Sequence, residues 1–265
     1  MKRRCLLITG ATGRLGQLLY LHLADAFESR RICLNLRALP GVVTADLSVV
    51  DHDWPRLFDG VDCVLHCAGQ ASPHAGWADV QRHNIDATLN VFAAAAQAGV
   101  PRVVFMSSNW TMAGYRFREV CLVETLPPLP INPYGVSKVV GECIGRSYAE
   151  HRGLSVICLR LGNCTGQAPD DPRLSSRLWE RQKWLSDRDF LQLVDRSIAA
   201  DDVQFATVNG MSMNAGMRWD LETGRRLLGY VPLDGLPSAG ALARIREVAA
   251  RFTPRAMRNQ QWSVS

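Results

Sequence analysis

Cys5-Leu6-Leu7-Ile8-Thr9-Gly10-Ala11-Thr12-Gly13-Arg14-Leu15-Gly16 decides the fold of this chain. It opens with an apolar run of strand character and ends in three glycines spaced G-x-x-G-x-x-G. From Leu15 to Ala26 apolar residues recur at helical spacing, so the glycines lie between a first strand and a first helix. That placement makes a cradle for a dinucleotide. Gly10 permits the tight turn, Gly13 lets backbone approach a pyrophosphate, and Gly16 lets the helix pack closely on the strand. The helix N-terminus adds free N–H groups and the positive end of its dipole. Thr12, Arg14 and Leu15 occupy the same turn and join the glycines as cofactor-binding candidates.

Strand and helix patterns alternate outward from this turn. Apolar β-rich runs stand at Arg31–Leu36, Val42–Thr44, Cys63–His66, Val103–Met106, Ser155–Leu159 and Val203–Val208. Helical patterns cover about Val80–Gly99 and Pro133–Arg152. Fully apolar strands in β-α-β alternation predict an α/β fold, a doubly wound parallel sheet of the Rossmann type. The rhythm breaks after Thr165. One domain over 1–265 is expected, with a small C-terminal substrate-binding cap from about 165–202 and 210–260. Such a cap belongs at the carboxyl edge of the sheet, where open α/β sheets bind ligands.

Composition narrows the function classes. The 265 residues are 47% hydrophobic and 21% charged, which excludes a disordered or collagen-like chain. No apolar run reaches the roughly 18–20 residues of a membrane span. Met1-Lys2-Arg3-Arg4 precedes too short an apolar stretch for a secretory leader, so a cytoplasmic protein without membrane contact is expected. The net charge of +5 is spread over 30 basic and 25 acidic residues, with one dense cluster at Lys2–Arg4, and no nucleic-acid partner is expected. Of eight cysteines, Cys5, Cys33, Cys63 and Cys158 fall in apolar strands and read as reduced packing residues. Cys63 and Cys67 have no second pair at zinc spacing, and His74 and His83 lack a carboxylate partner, so no metal is expected.

The end of the second strand bears on the cofactor. An acid there holds the adenosine ribose, whereas an arginine accommodates a 2′-phosphate. Here Leu34-Asn35-Leu36-Arg37 has no acid before Asp46. NAD or NADP is expected, with a lean toward NADP through Arg37 and Arg14. In the alternative, Arg37 is a solvated loop residue and NAD binds through Asn35.

A second motif supplies chemistry. Val103–Met106 ends in Ser107-Ser108-Asn109, and after a loop comes Asn132-Pro133-Tyr134-Gly135-Val136-Ser137-Lys138. Asn132 suits a helix N-cap and Pro133 a first helical position. Tyr134 and Lys138 are four apart and share one helix face. A nearby ammonium lowers a phenol pKa, which makes the pair a general base for a substrate hydroxyl, with Ser108 steadying the alcohol oxygen. Lys138 can also bond the nicotinamide ribose.

Thr9–Gly16, His66-Cys67-Ala68-Gly69, Ser107-Ser108 and Tyr134-x-x-x-Lys138 together resemble the extended short-chain dehydrogenase/reductase (epimerase/dehydratase) superfamily over most of the chain. Within it, Ser107–Thr111, Leu161–Thr165, Trp184–Phe190 and Asn214–Tyr230 are similar to the bacterial uronate dehydrogenases. The resemblance implies a nicotinamide-dependent oxidation of a hexuronate at C1 to an aldarolactone. It implies a cofactor set that includes Asp46, Leu47, Cys67, Ala68, Gly69, Asn84, Ser107, Tyr134 and Lys138, with Asn84 bracing the site. It implies substrate contacts from Ser72, Ser108, Asn109, Trp110 and Asn163, and an arginine on the carboxylate, a role suited to a bidentate guanidinium. Trp110 stands where that group has His. An insertion leaves Arg173, Arg177 and Arg181 competing for the carboxylate, with Arg173 first. His66 reads as a packed residue, and Trp77, Trp179, Trp184 and Trp219 read chiefly as packing.

Two other readings compete. One is a nucleotide-sugar epimerase or another carbonyl reductase, which calls for a larger C-terminal pocket. The other is a non-catalytic dinucleotide sensor, which has no use for the Tyr134–Lys138 pair. A homo-oligomer is compatible with either.

Overall fold

The computed structural model describes residues 4–26, 29–35, 40–50, 53–169 and 177–238, together with Ile245 and Ala249. Seven strands form one parallel sheet: β1 (Arg4–Thr9), β2 (Ser29–Asn35), β3 (Val43–Thr44), β4 (Cys63–His66), β5 (Arg102–Ser108), β6 (Ser155–Leu161) and β7 (Phe205–Gly210). The helices are α1 (Arg14–Ala26), α2 (Trp77–Val80), α3 (Ala87–Gln97), α4 (Pro133–Arg152), α5 (Leu178–Gln182), α6 (Asp187–Ala199) and α7 (Glu222–Leu228). A π turn at Gln81–Asp86 joins α2 to α3, and 3₁₀ turns cover Trp54–Phe58 and Asn109–Tyr115. Strand order is β3-β2-β1-β4-β5-β6-β7. The order reverses between β1 and β4, and a crevice opens at their carboxyl ends, as the doubly wound topology requires.

Successive strand residues point to opposite faces, and the core divides along that alternation. Leu6, Ile8, Leu65, Val104, Ile157 and Leu159 pack with Leu19 and Leu23 of α1 and with Phe190 and Leu193 of α6. Leu7, Val64, Val103, Phe105, Val156 and Cys158 pack with Val91 and Phe92 of α3 and Ala149 of α4. Both faces are covered, which is why the strands read as unbroken apolar runs. Cys63 and Cys158 are buried free thiols, whereas Cys5 is only half-buried. No helix among the described residues is long and apolar enough to cross a membrane.

The structure corrects the expected bounds of the cap. Asp187–Ala199 is α6, a sheet-covering helix whose Phe190, Leu193 and Val194 share a core with Leu6 and Ile8. A parallel β6-to-β7 connection needs a helix on the sheet face, and α6 supplies it. What lies over the carboxyl edge is α5 and the stretch after β7. They are tied by isolated bridges, Asn163 to Trp184 and Leu122 to Trp219. A separate apolar cluster of Met112, Tyr115, Leu122, Trp179, Met211 and Trp219 holds this layer, so Trp179 and Trp219 are packing residues, as read from sequence. Residues 170–176 and most of 239–265 lie outside the described residues.

Helix α4 sits tightly on the sheet. A Cβ on Gly141 would stand 2.4 Å from the Phe105 ring, so glycine there permits the approach to β5. Asn132 caps the helix by accepting the Gly135 N–H at 2.7 Å, and Gly153 ends it at φ +70°. Under the helix, Glu142 receives Arg160 of β6 through two bonds of 2.7 and 2.9 Å and the Ser107 hydroxyl at 2.6 Å. All three are buried. Removing one member strands a buried charge. Glu142→Ala is expected to lower the unfolding free energy by about 3–5 kcal/mol, read from denaturant unfolding curves.

Candidate active site

Where β1 ends, Gly10 adopts φ +67°, and a Cβ there would stand 2.7 Å from the Ala68 backbone. Glycine thus brings the turn directly against the residue after β4. The Gly13 N–H closes the turn on the Gly10 carbonyl at 2.9 Å, and a Cβ on Gly16 would lie 2.3 Å from that same oxygen. A cleft of about 390 Å³ opens beside the turn. Gly10, Thr12, Gly13, Asn35, Asp46, Leu47, Cys67, Ala68 and Gly69 all line it. The Asp46 carboxyl takes the Ser48 hydroxyl at 2.6 Å and Arg82 at 2.7 Å, and both hold it below the usual carboxylate range. Leu15 turns its side chain to the core, leaving only its backbone to the turn.

At the far side of the crevice, Tyr134 is buried on the first turn of α4, with the Ser108 side chain as its polar neighbour. Lys138 donates to the Met106 carbonyl at 2.9 Å, with Nζ 5.0 Å from the Phe105 ring centroid and 5.8 Å from that of Tyr134. Burial pulls the Lys138 ammonium down to about 8, against the opposing influence of Cys67 and Glu142. Burial pushes the Tyr134 phenol up, and the Ser108 hydrogen bond opposes the rise. The expected lowering of Tyr134 by Lys138 is therefore not what this geometry produces, because desolvation outweighs an ammonium already held by a carbonyl.

Loops brace this pair. Asn84 accepts the Gln70 N–H at 2.6 Å and donates to the Gln70 carbonyl at 3.1 Å and the Ser137 hydroxyl at 2.9 Å. Asn132 reaches the Pro73 carbonyl at 2.9 Å, and Ser72 accepts the His74 N–H at 3.2 Å. The loop after β4 is thereby fastened to the start of α4.

This chain matches the family model "NAD dependent epimerase/dehydratase family" over residues 6–183. It is 36% identical over 247 residues to the NAD-dependent glucose-6-phosphate dehydrogenase of Haloferax volcanii, covering 86% of this chain and 92% of that one. It is 31% identical to the uronate dehydrogenase of Pseudomonas putida, covering 94% and 91% respectively. A tyrosine-to-alanine mutant of the uronate dehydrogenase from Agrobacterium tumefaciens, solved with NAD, superposes with a TM-score of 0.77 at 30% identity, covering 96% and 91%. The chain belongs to the NAD-dependent epimerase/dehydratase family. Within that family it is a dehydrogenase.

Several side chains expected at the family site are engaged elsewhere. The Ser107 hydroxyl goes to Glu142 and not to the cleft. Arg14, a candidate for a 2′-phosphate, holds Asp187 through bonds of 2.5 and 2.7 Å and the Cys164 carbonyl at 3.1 Å. It ties the start of α1 to the start of α6, with Nη2 on both carboxylate oxygens and Nε on the carbonyl. Arg37 lies outside the described residues, as does Arg173. Arg177 is exposed, and Arg181 donates to the Pro237 carbonyl at 3.2 Å. Asn109 is buried, with Nδ2 on the Leu161 carbonyl at 2.8 Å and Oδ1 without a hydrogen-bond partner among the described residues.

One buried charge beside the candidate site went unnoticed in the sequence. Lys183 is buried with Nζ 5.1 Å from the Trp110 ring centroid and 3.1 Å from Glu180, whose carboxylate also takes Asn163 Nδ2 at 2.7 Å. Its place beside the arginines under consideration was the available signal.

His66 is fully buried, with Nδ1 2.7 Å from the Thr9 hydroxyl and Nε2 3.1 Å from that of Thr88. Burial pulls it down to about 3, with Lys138 adding to the effect, so it packs and takes no proton near neutrality. The folded chain thus resists protonating a group that the unfolded chain protonates below its usual value near 6.5. Its contribution to stability is complete above that value and is lost as pH falls toward about 3. Across pH 5–8 its ring proton shifts should stay flat in NMR spectra.

Proposed function

We propose that this chain oxidises the anomeric carbon of an acidic sugar, a hexuronate foremost, to a lactone. The observation that carries the reading is the Tyr134–Lys138 pair of α4, both side chains buried against the end of β5, where Lys138 holds the Met106 carbonyl. A nicotinamide held in the cleft would supply the hydride acceptor for C1. Tyr134 takes the proton of the anomeric hydroxyl, so that the C–H and O–H bonds give way to a carbonyl. Ser108 holds the reacting oxygen through its hydroxyl. Asn109, Trp110 and Asn163 follow β5 and β6 and are proposed to bound the sugar, with Ser72 facing it from the loop after β4. The layer formed by α5 and the stretch after β7 is proposed as the cap.

The cleft fits the cofactor, since Gly13 lines it with backbone alone and Gly10 admits no side chain. Gly10, Thr12, Gly13 and the N–H groups from Leu15 onward would hold the pyrophosphate, and Asn35, Asp46 and Leu47 the adenosine half. Lys138 would hold the nicotinamide ribose. With Arg14 engaged by Asp187, acceptance of a 2′-phosphate turns on Arg37.

A sugar 6-phosphate is the second reading, favoured by the 36% identity to the glucose-6-phosphate dehydrogenase. Both readings place an anion on the sugar. An assay of galacturonate, glucuronate and glucose 6-phosphate with NAD and NADP, followed by reduced-nicotinamide absorbance, separates them. No reduction in any combination would sink both.

Tyr134→Phe is expected to lower kcat by about 10²–10⁴-fold while leaving NAD affinity, measured by calorimetry, within twofold or so. The proton acceptor must be ionised, so the oxidation rate should rise with pH. Ser108→Ala removes the bond that keeps the phenol from rising further. It should move that alkaline limb to higher pH and lower kcat at neutral pH by about 10²-fold.

A further inference from the structure

Asn163, Glu180 and Lys183 form a charged cluster that the proton transfer does not use. Its backbone is fixed to the sheet, because the Asn163 N–H donates to the Lys183 carbonyl at 2.7 Å and the Leu185 N–H to the Asn163 carbonyl at 3.1 Å. Lys183 therefore stands beside the carboxyl end of β6. Its side chain is 3% exposed and that of Glu180 27%. Nζ lies 3.1 Å from Glu180 Oε2 and 5.1 Å from the Trp110 ring centroid. Asn163 Nδ2 donates to the same Oε2 at 2.7 Å.

The cluster reaches the reacting centre through one turn. The Trp110 N–H donates to Ser108 Oγ at 3.3 Å, and Ser108 is the polar neighbour of Tyr134. Trp110 thus has the Ser108 hydroxyl at its backbone and an ammonium near its ring. Sequestering a lysine this deeply is unfavourable unless it is paired, and an apolar pair of similar volume would serve packing as well. Burial lowers the Lys183 ammonium, Glu180 raises it, and Arg116 is close enough to repel it.

We propose that the Glu180–Lys183 pair sets how strongly the site prefers an acidic sugar over its neutral counterpart. Lys183 attracts the anion of the substrate, and Glu180, held by Asn163, tempers that attraction. The inference rests on the sugar-dehydrogenase reading and deepens it by naming residues that discriminate substrate charge. It predicts opposite effects from the two halves of one ion pair, which a structural role would not produce.

The test compares glucuronate with glucose in two readouts. One is kcat/KM with NAD, and the other is the dissociation constant of each sugar in the presence of NAD, by calorimetry. Lys183→Met should lower the glucuronate-to-glucose preference by about tenfold, and Glu180→Gln should raise it by a similar factor. The double variant should return it toward the parent value. Thermal melts of all three identify any variant that is merely unfolded, and Glu180→Gln, which preserves shape, keeps the test open if Lys183→Met does not fold. Shifts of the same sign in both single variants, or unchanged preference in both readouts, overturn the proposal, as does a parent chain that binds neither sugar. Charge-dependent binding without turnover leaves the proposal standing and overturns the oxidation.

Discussion

The contact between α4 and β5 is the constraint on which the site depends. The Phe105 ring occupies the space where a side chain on Gly141 would begin, so helix and strand meet closer than any other residue allows. Each catalytic candidate takes its position from that approach. Lys138 lies one helical turn before Gly141 and reaches the Met106 carbonyl over the Phe105 ring. Tyr134, one turn earlier, meets Ser108 at the end of the same strand. Glu142 follows Gly141 and is held from below by Arg160 and Ser107. A buried ion pair is a poor source of net stability. Here it lies directly behind the lysine and bears on its charge, since Glu142 opposes the fall that burial imposes on Lys138.

Much of this was legible because it is local. The β4 bounds and the α4 bounds read from sequence coincide with the structure, since apolar strands buried on both faces and an Asn-Pro helix start are unambiguous signals. The glycine spacing revealed the turn for the same reason, as did the four-residue Tyr134–Lys138 repeat. The sequence misled where the deciding partner is remote. Arg14 reads as a free cation beside a phosphate cradle, yet its partner Asp187 is 173 residues away. Ser107 reads as a site hydroxyl, and its partner Glu142 belongs to the opposite layer. The cap was overdrawn because α6 follows irregular chain, and only its packing with Phe190 and Leu193 reveals a sheet-covering helix. Lys183 was overlooked because nothing in its immediate neighbours shows that it is buried.

Electrostatics at the two ends of the crevice follow different rules. At the cleft, charged groups are half-exposed and already paired, Arg14 with Asp187 and Arg82 with Asp46. Exposed pairs of this kind contribute little to stability. They do fix which charges an incoming dinucleotide meets. Arg14, whose Nη2 already serves a carboxylate, is poorly placed to reward a second anion. Around Tyr134 the groups are buried, and desolvation governs them. A phenol pushed up and an ammonium pulled down both favour their neutral forms.

This division assigns reaction and specificity to different parts of the chain. The proton-handling groups are set by backbone contacts of β5 and α4, which a change of surrounding side chains leaves in place. The edge proposed to face the sugar is built differently, from the turn after β6, α5 and the stretch after β7, with Lys183 and Glu180 paired within it. Loops on a rigid scaffold are where substrate choice changes most readily. Relatives that share this scaffold are named for a uronate and for glucose 6-phosphate, two sugars alike in carrying an anion and unlike in its geometry. A lysine, unlike a guanidinium fork, imposes no fixed orientation on the anion it attracts, so the role proposed for Lys183 implies selection for the sign of the substrate's charge more than for the orientation of the group that bears it.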